Sequence, residues 1–332
     1  MKSPIATIVA LTSALVLTAT AADDPALVEF IPDGVTPDPA QRAIVAACAA
    51  EVYLCKVGYD ADGNVRSLQL SNHNAFMPPG VEDKESHTAG REGVSDATFA
   101  KLEGLPELKA LRLLKQPLAD ESFAVLSSWP DLEAFCVERN DWDDHDNASA
   151  DFMLHLNGLK NLRWLELKHL FGLNETRVDQ LEGFPRLERI ELDNASAQEE
   201  CIAFLEKCPN IRDFELHRTN MGNEGIEKIV AALPKLERFD VKQHAAKDLD
   251  ARCLEAVATL PNLQTFVINR WKDDQLFWEE GVEHLLNAPS LRHLGDKKAV
   301  QHPAVRRLLE ESSTIEPAQG RHYAVEFDYQ AF

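Results

Sequence analysis

The amino-acid sequence predicts an α/β fold in which short parallel strands alternate with short helices along a curved solenoid. Three observations carry this expectation. An apolar residue followed by proline recurs at a near-constant step. The spacing L-x-x-L-x-L, in which L stands for any apolar residue, follows it each time. The residues ahead of it carry an apolar stripe at helical spacing.

The dipeptides are Leu105-Pro106, Trp129-Pro130, Phe184-Pro185, Cys208-Pro209, Leu233-Pro234, Leu260-Pro261 and Ala288-Pro289, with Leu159-Lys160 filling the gap without its proline. The steps between them are 24, 30, 25, 24, 25, 27 and 28 residues. The strands that follow read Leu108/Leu111/Leu113, Leu132/Phe135/Val137, Leu162/Leu165/Leu167 and Leu187/Ile190/Leu192. Then come Ile211/Phe214/Leu216, Leu236/Phe239/Val241, Leu263/Phe266/Ile268 and a fading Leu291/Leu294. Asn64 to Leu70 reads as one more strand upstream, followed by a polar excursion from Ser71 to Gly93.

The other half of each unit is helical. Phe99/Leu102/Leu105, Phe123/Leu126/Trp129, Met153/Leu156/Leu159, Val178/Leu181/Phe184 and Leu254/Val257/Leu260 recur every three residues, the stripe of a short amphipathic helix. Ser95-Asp96, Asp120-Glu121, Asn223-Glu224 and Asp250 supply capping and first-turn chemistry. Proline then ends the helix, because it has no N–H to donate. One strand and one helix cannot bury their shared apolar face alone, but stacked copies can. The order expected is a signal peptide over residues 1–21, an N-terminal cap over 22–63, eight or nine repeats over 64–296 and a C-terminal cap over 297–332. The first cap reads as an Ala-rich helix from Gln41 to Glu51 and a hairpin turning at Asp60 to Asn64; the last as a helix from Pro303 to Glu311 and a strand from Tyr323 to Tyr329.

These units resemble the leucine-rich-repeat superfamily, in its ribonuclease-inhibitor-like strand–helix form, and look most like exported bacterial members. The resemblance covers Asn64 to Asp296. It implies a curved solenoid with strands on the concave side and helices on the convex side. It also implies binding as a habit, without naming a partner. The Asn or Cys that follows the strand in that superfamily is matched only at Asn140, Asn194 and Asn220. No F-box-like segment accompanies the repeats.

Alternation along each strand places one column of side chains at the middle of the concave face: Gln69, Arg112, Cys136, Glu166, Glu191, Glu215, Asp240 and Val267. One flank carries Trp164, Arg189, Asp213 and Arg238; the other carries Lys168, Asp193, His217 and Lys242. Glu166 to Asp240 would be four stacked carboxylates about 4.8 Å apart. Each adjacent pair repels by about 1 kcal/mol at the dielectric of water. Lys168, Arg189, Arg238 and Lys242 stand beside them to offset that. The functional reading is that this stripe, with an exposed Trp164, receives a protein partner carrying a basic patch. The bland reading is that an acidic protein fills exposed strand positions with Glu and Asp.

Composition narrows the classes. The 332 residues carry a net charge of −21. Such a surface repels nucleic acid and anionic lipid, which need clustered Lys and Arg. Lys2 followed by the apolar run Ile5 to Leu17 and Ala19-Thr20-Ala21 reads as an export signal cleaved before Ala22, giving a secreted or periplasmic protein. Its loss removes one Lys and no acid. The run is too short to span a bilayer, which takes about 18–20 residues. Of six cysteines, Cys48 and Cys55 are the candidate disulfide, with a reduced pair as the alternative; the other four fall on repeat positions.

No GxSxG, HExxH, GxGxxG or phosphate-cradling loop is present, so no enzyme, metal or cofactor is expected. Asp141 to Asn147 is dense in hard oxygen ligands but lacks the glycine of a calcium loop, and reads as a solvated insertion. Asp60 to Asn64 reads as a hairpin turn. Sequons at Asn147, Asn174 and Asn194 fall at loops. Two functions remain: protein recognition through the concave strands, or a structural, envelope-associated spacer without a single partner.

Overall fold

A computed structural model of the chain describes residues 24, 26–73, 89–139, 151–169, 179–193, 200–218, 221–244, 249–270, 275–295, 299–312 and 314–318. The expected export signal, the insertion Asp141 to Asn147, Asn140, Asn220, the three sequon asparagines and the strand expected at Tyr323 to Tyr329 lie outside the described residues.

Among the described residues, twelve strands form one sheet in chain order. They are β1 (Leu27–Phe30), β2 (Leu54–Tyr59), β3 (Val65–Ser71), β4 (Ala110–Leu114), β5 (Ala134–Glu138) and β6 (Trp164–Lys168). β7 (Arg189–Asp193), β8 (Asp213–His217), β9 (Arg238–His244), β10 (Thr265–Arg270), β11 (His293–Leu294) and β12 (Glu316–Pro317) complete it. Every neighbouring pair is parallel except β2 and β3, which make the expected hairpin. The strand β1 and the short β12 carry no repeat signature and were not foreseen. From β3 onward each L-x-x-L-x-L run supplies a strand, and the order is that of repeat-like α/β units side by side.

The register explains why the sequence repeats as it does. Leu111, Phe135, Leu165, Ile190, Phe214, Phe239 and Phe266 pair in succession across seven strands, and all are buried. Phe214 stacks on Phe239 at 5.6 Å between ring centroids and Phe239 meets Phe266 at 5.9 Å. A second ladder runs where the strands begin: Glu133 N–H donates to Lys109 O at 2.8 Å, Arg163 to Glu133, Glu188 to Arg163, Arg212 to Glu188 and Glu237 to Arg212. Side chains just after the proline position extend it, with Asn161, after Lys160, and Asn210, after Pro209, donating to the carbonyls of Pro130 and Pro185 one unit back.

The back layer corrects one expectation. The stripes at Phe99 to Leu105, Phe123 to Trp129 and Met153 to Leu159 close as 3₁₀ turns over Lys101–Gly104, Asp120–Ser128 and Asp151–Gly158. The three-residue spacing matches the three residues per turn of a 3₁₀ helix but does not by itself select one, since Leu254/Val257/Leu260 keeps the same spacing in a unit whose helix is α. Later units form α-helices at Asn223–Ala232 and Ala251–Ala258. The segment 181–184 is not helical. Phe123 sits at the centre of the 3₁₀ layer, 4.7 Å from Phe152 and 5.8 Å from Phe99. The buried Arg139 guanidinium lies 5.4 Å and 5.2 Å from the Phe123 and Phe152 rings and pairs with Asp120.

At the beginning, the helix Pro39–Ala49 is capped by Asp38, whose carboxylate accepts from Gln41 N at 2.9 Å, with proline at the first helical position. Asp60 Oδ1 accepts from the backbone of Asp62 and Asn64, both at 2.9 Å, so the hairpin turn consumes it. Gly63 is required there: its φ is +85° and an added Cβ would meet Thr36 O at 2.3 Å. The candidate disulfide is not formed. Cys48 and Cys55 are buried free thiols, and burial pushes the Cys48 thiol up to about 12. No helix among the described residues is long and apolar enough to cross a membrane.

Two outcomes follow from this packing. Phe123→Ala removes a buried ring and is expected to cost about 3–5 kcal/mol in urea unfolding; a loss below about 1 kcal/mol would mean that the aromatic cluster is not tightly packed. Iodoacetamide applied without reductant should leave Cys48 and Cys55 unmodified in the native protein and alkylate both once it is unfolded. Resistance in the unfolded state would mean that they are bonded to each other.

Candidate functional site

The columns expected from strand alternation are present. Trp164, Arg189, Asp213 and Arg238 pair across β6 to β9, as do Glu166, Glu191, Glu215 and Asp240. The third column runs Lys168, Asp193, His217 and Lys242; the side chain of Lys242 lies outside the described residues. This face is the one turned from the main core. Ala110, Ala134 and Cys136 form a separate small apolar cluster on it, against Trp164.

Burial is where the structure overturns the reading of an exposed stripe. Glu166, Glu191 and Glu215 are 3–5 % exposed and Asp240 is 0 % exposed. Lys168 and His217 are buried as well. Trp164, expected to stand exposed, is half-buried, with the Arg189 guanidinium 4.4 Å from its ring. Alternation tells which residues share a face; it does not tell how deeply the face is covered.

Charges removed from water must be paired, since an uncompensated buried charge costs several kcal/mol. The bases foreseen beside the carboxylates do this directly. Lys168 Nζ lies 2.8 Å from Glu166 Oε1 and 2.9 Å from Glu191 Oε1. Arg112 reaches Glu166 Oε2 at 3.5 Å. Arg189 Nη2 lies 3.2 Å from Glu215 Oε1 and 3.7 Å from Glu191 Oε2. Arg238 holds Asp240 at 2.6 Å, with its Nε 3.8 Å from Asp213. The His217 ring sits between two acids, Nε2 at 3.6 Å from Glu215 Oε2 and Nδ1 at 3.8 Å from Glu191 Oε1.

The stacked glutamates therefore titrate apart. Burial opposes the ionised form of Glu166, but Lys168 and then Arg112 outweigh it and hold the group well below the usual carboxylate range. Glu191 goes the other way: burial, then the neighbouring Glu166 carboxylate, push it up to about 8. Of the two, Glu191 therefore holds a proton the more tightly. For Lys168, burial favours the neutral amine, yet Glu166 and Glu191 keep it charged.

A cluster that sequence reading missed lies where the strands end. Arg218 forks onto Asp193 at 2.7 and 2.8 Å and lies 3.2 Å from His169 Nε2. Lys115, His169 and Arg218 each follow the last residue of a strand and each has positive φ, of 54°, 57° and 51°. The only signal in the sequence is their shared offset after L-x-L. With no glycine there, the left-handed turn was not legible.

Access is greatest on the flank where the strands begin. Trp164, Arg189 and Asp213 are half-buried where the middle column is closed. Beyond them a groove of about 690 Å³ is lined by Glu133, Arg163, Glu188 and Arg212, with Lys109 and Arg186 at its sides. Arg163 bridges Glu188 at 3.0 Å and Glu133 at 3.8 Å, and Arg212 pairs with Glu237 at 2.7 Å.

Comparison with protein-family models gave no match to this chain, and none of the curated proteins compared with it matched either.

Lys168→Met would leave Glu166 and Glu191 facing each other across an apolar side chain, and is expected to cost about 3–5 kcal/mol in chemical unfolding. Adding Glu166→Gln removes one of the two carboxylates, so the double variant should fall short of the summed single losses by about 1–3 kcal/mol. Additive losses would mean that the three groups do not act together.

Proposed function

We propose that the protein is an exported leucine-rich-repeat protein whose solenoid recognises another protein along its concave strands, with no catalytic step. The repeated L-x-x-L-x-L strands in uniform register support the family reading. The observation that carries recognition is the half-buried row Trp164, Arg189 and Asp213, lying beside the charged groove at the strand starts. Trp and Arg are the residue types that most often anchor protein interfaces, because a large flat group loses little entropy when it is covered.

The partner differs in kind from the one charge counting suggests. The stacked carboxylates are matched by Lys168, Arg112, Arg189 and Arg238, so they offer little attraction to a basic patch. The groove carries both signs, and a partner surface of mixed charge fits it better. The paired middle column favours the spacer as the second reading, since a face neutralised from within needs no partner.

Crosslinking capture from the native envelope and medium, with the protein expressed from its full sequence, separates the two. The variants Trp164→Ala and Arg163→Ala would run beside Lys228→Ala on the helix Asn223–Ala232. A captured protein that falls about tenfold or more with Trp164→Ala, and stays with Lys228→Ala, is the expected result. Equal capture by all four, or none by any, would turn the balance to the spacer.

A further inference from the structure

We propose that Glu191, Glu215 and His217 form a buried site for one divalent transition-metal ion. The site meets the recognition row at Arg189, but none of its three ligands belongs to that row and its test does not require a protein partner. One donor atom from each of the three residues lies within 4.8 Å of the other two, and all three residues are buried. Two neighbouring strands assemble it. Glu191 and Glu215 are register partners on β7 and β8, and His217 is two residues beyond Glu215, on the same face. The ligands therefore come from positions 24 residues apart, which is why no short spacing announced them.

The chemistry of the donors sets the class of ion. Two carboxylates and one imidazole suit zinc, cobalt or iron(II), whereas calcium and magnesium take oxygen ligands. Ligands bonded at about 2.0–2.2 Å to a tetrahedral zinc stand about 3.3–3.6 Å apart. His217 Nε2 and Glu215 Oε2 are already 3.6 Å apart, close to the edge of a coordination polyhedron. Glu191 Oε1 faces the other ring nitrogen, Nδ1, at 3.8 Å, so an ion held by one nitrogen of His217 is joined by Glu191 only after its carboxylate turns, with one donor atom of each residue within 4.8 Å of the others. Rotation of the two glutamate carboxylates can close the remaining distance.

The surroundings are those of a supported site. Arg189 lies against Glu215 Oε1, leaving Oε2 turned to the imidazole, and Lys168 holds Glu191. Such outer contacts orient metal-binding carboxylates.

The test uses the full chain, stripped with EDTA and then given Zn²⁺ or Co²⁺, both by long incubation of the folded protein and by refolding from urea with the metal present. The expected result is one equivalent bound and visible cobalt absorption. His217→Ala should weaken binding at least about a hundredfold. Glu191→Gln, which keeps the shape of the side chain and removes its charge, should weaken binding as well. His155→Ala, at an exposed position, should change nothing. No uptake by either route, or uptake that His217→Ala leaves intact, would overturn the site.

Discussion

The rest of the structure depends on one constraint: equivalent residues of successive units lie opposite each other, held by parallel backbone pairing. From β3 to β9 the register does not slip, and β10 keeps it as far as Ile268 before an irregularity, so whatever a unit carries at one position is stacked against the same position of the next. For apolar residues this is wholly favourable. Phe214 stacks on Phe239, which meets Phe266 at a tilt to make a continuous aromatic row, and Trp129 Nε1 donates to Leu105 O one unit back. For charged residues the same rule creates conflict, because Glu166, Glu191 and Glu215 are brought side by side. Bases on the flanking columns, a proton on Glu191 and the imidazole of His217 resolve it. The chemically unusual part of the molecule is thus a by-product of the geometry that makes it stable.

Much of this was legible in the sequence, for a physical reason. A repeating unit states its register many times over, and an alignment on one proline places every strand and every column. The strands at Ala110, Ala134, Trp164, Arg189 and Asp213 and the neighbours of Glu191 could all be read that way. Three kinds of fact could not. The depth of burial of Asp240 depends on everything above the sheet, and alternation is silent about that. The 3₁₀ turns at Asp120–Ser128 and Asp151–Gly158 were written in the three-residue spacing, but a helix of either kind buries such a stripe. The left-handed residues Lys115, His169 and Arg218 carry none of the composition that usually marks such turns.

Burial also redistributes meaning among the residues. Glu166 and Glu191 look alike in the sequence, stand opposite each other, and differ in protonation because Lys168 and Arg112 both reach the first, while the second faces a carboxylate on either side. Trp164 changes role as well. It is no isolated exposed ring but the lid over the small cluster of Ala110, Ala134 and Cys136, with its other face toward Arg189.

The strand order has a consequence for how the molecule comes into being. Every sheet contact joins a strand to the one before it, and the ladder bonds from Glu133 to Lys109 or from Arg212 to Glu188 span 24 residues each. Among the described residues, the step from β3 to β4, Ser67 to Ala110, is the long one. From β5 to β10 each strand closes a loop of 24–30 residues against a template already in place, so the entropy lost per step is nearly constant there. Growth can thus proceed in the direction of synthesis, with the antiparallel pair β2 and β3 as the local seed from which the parallel strands are laid down.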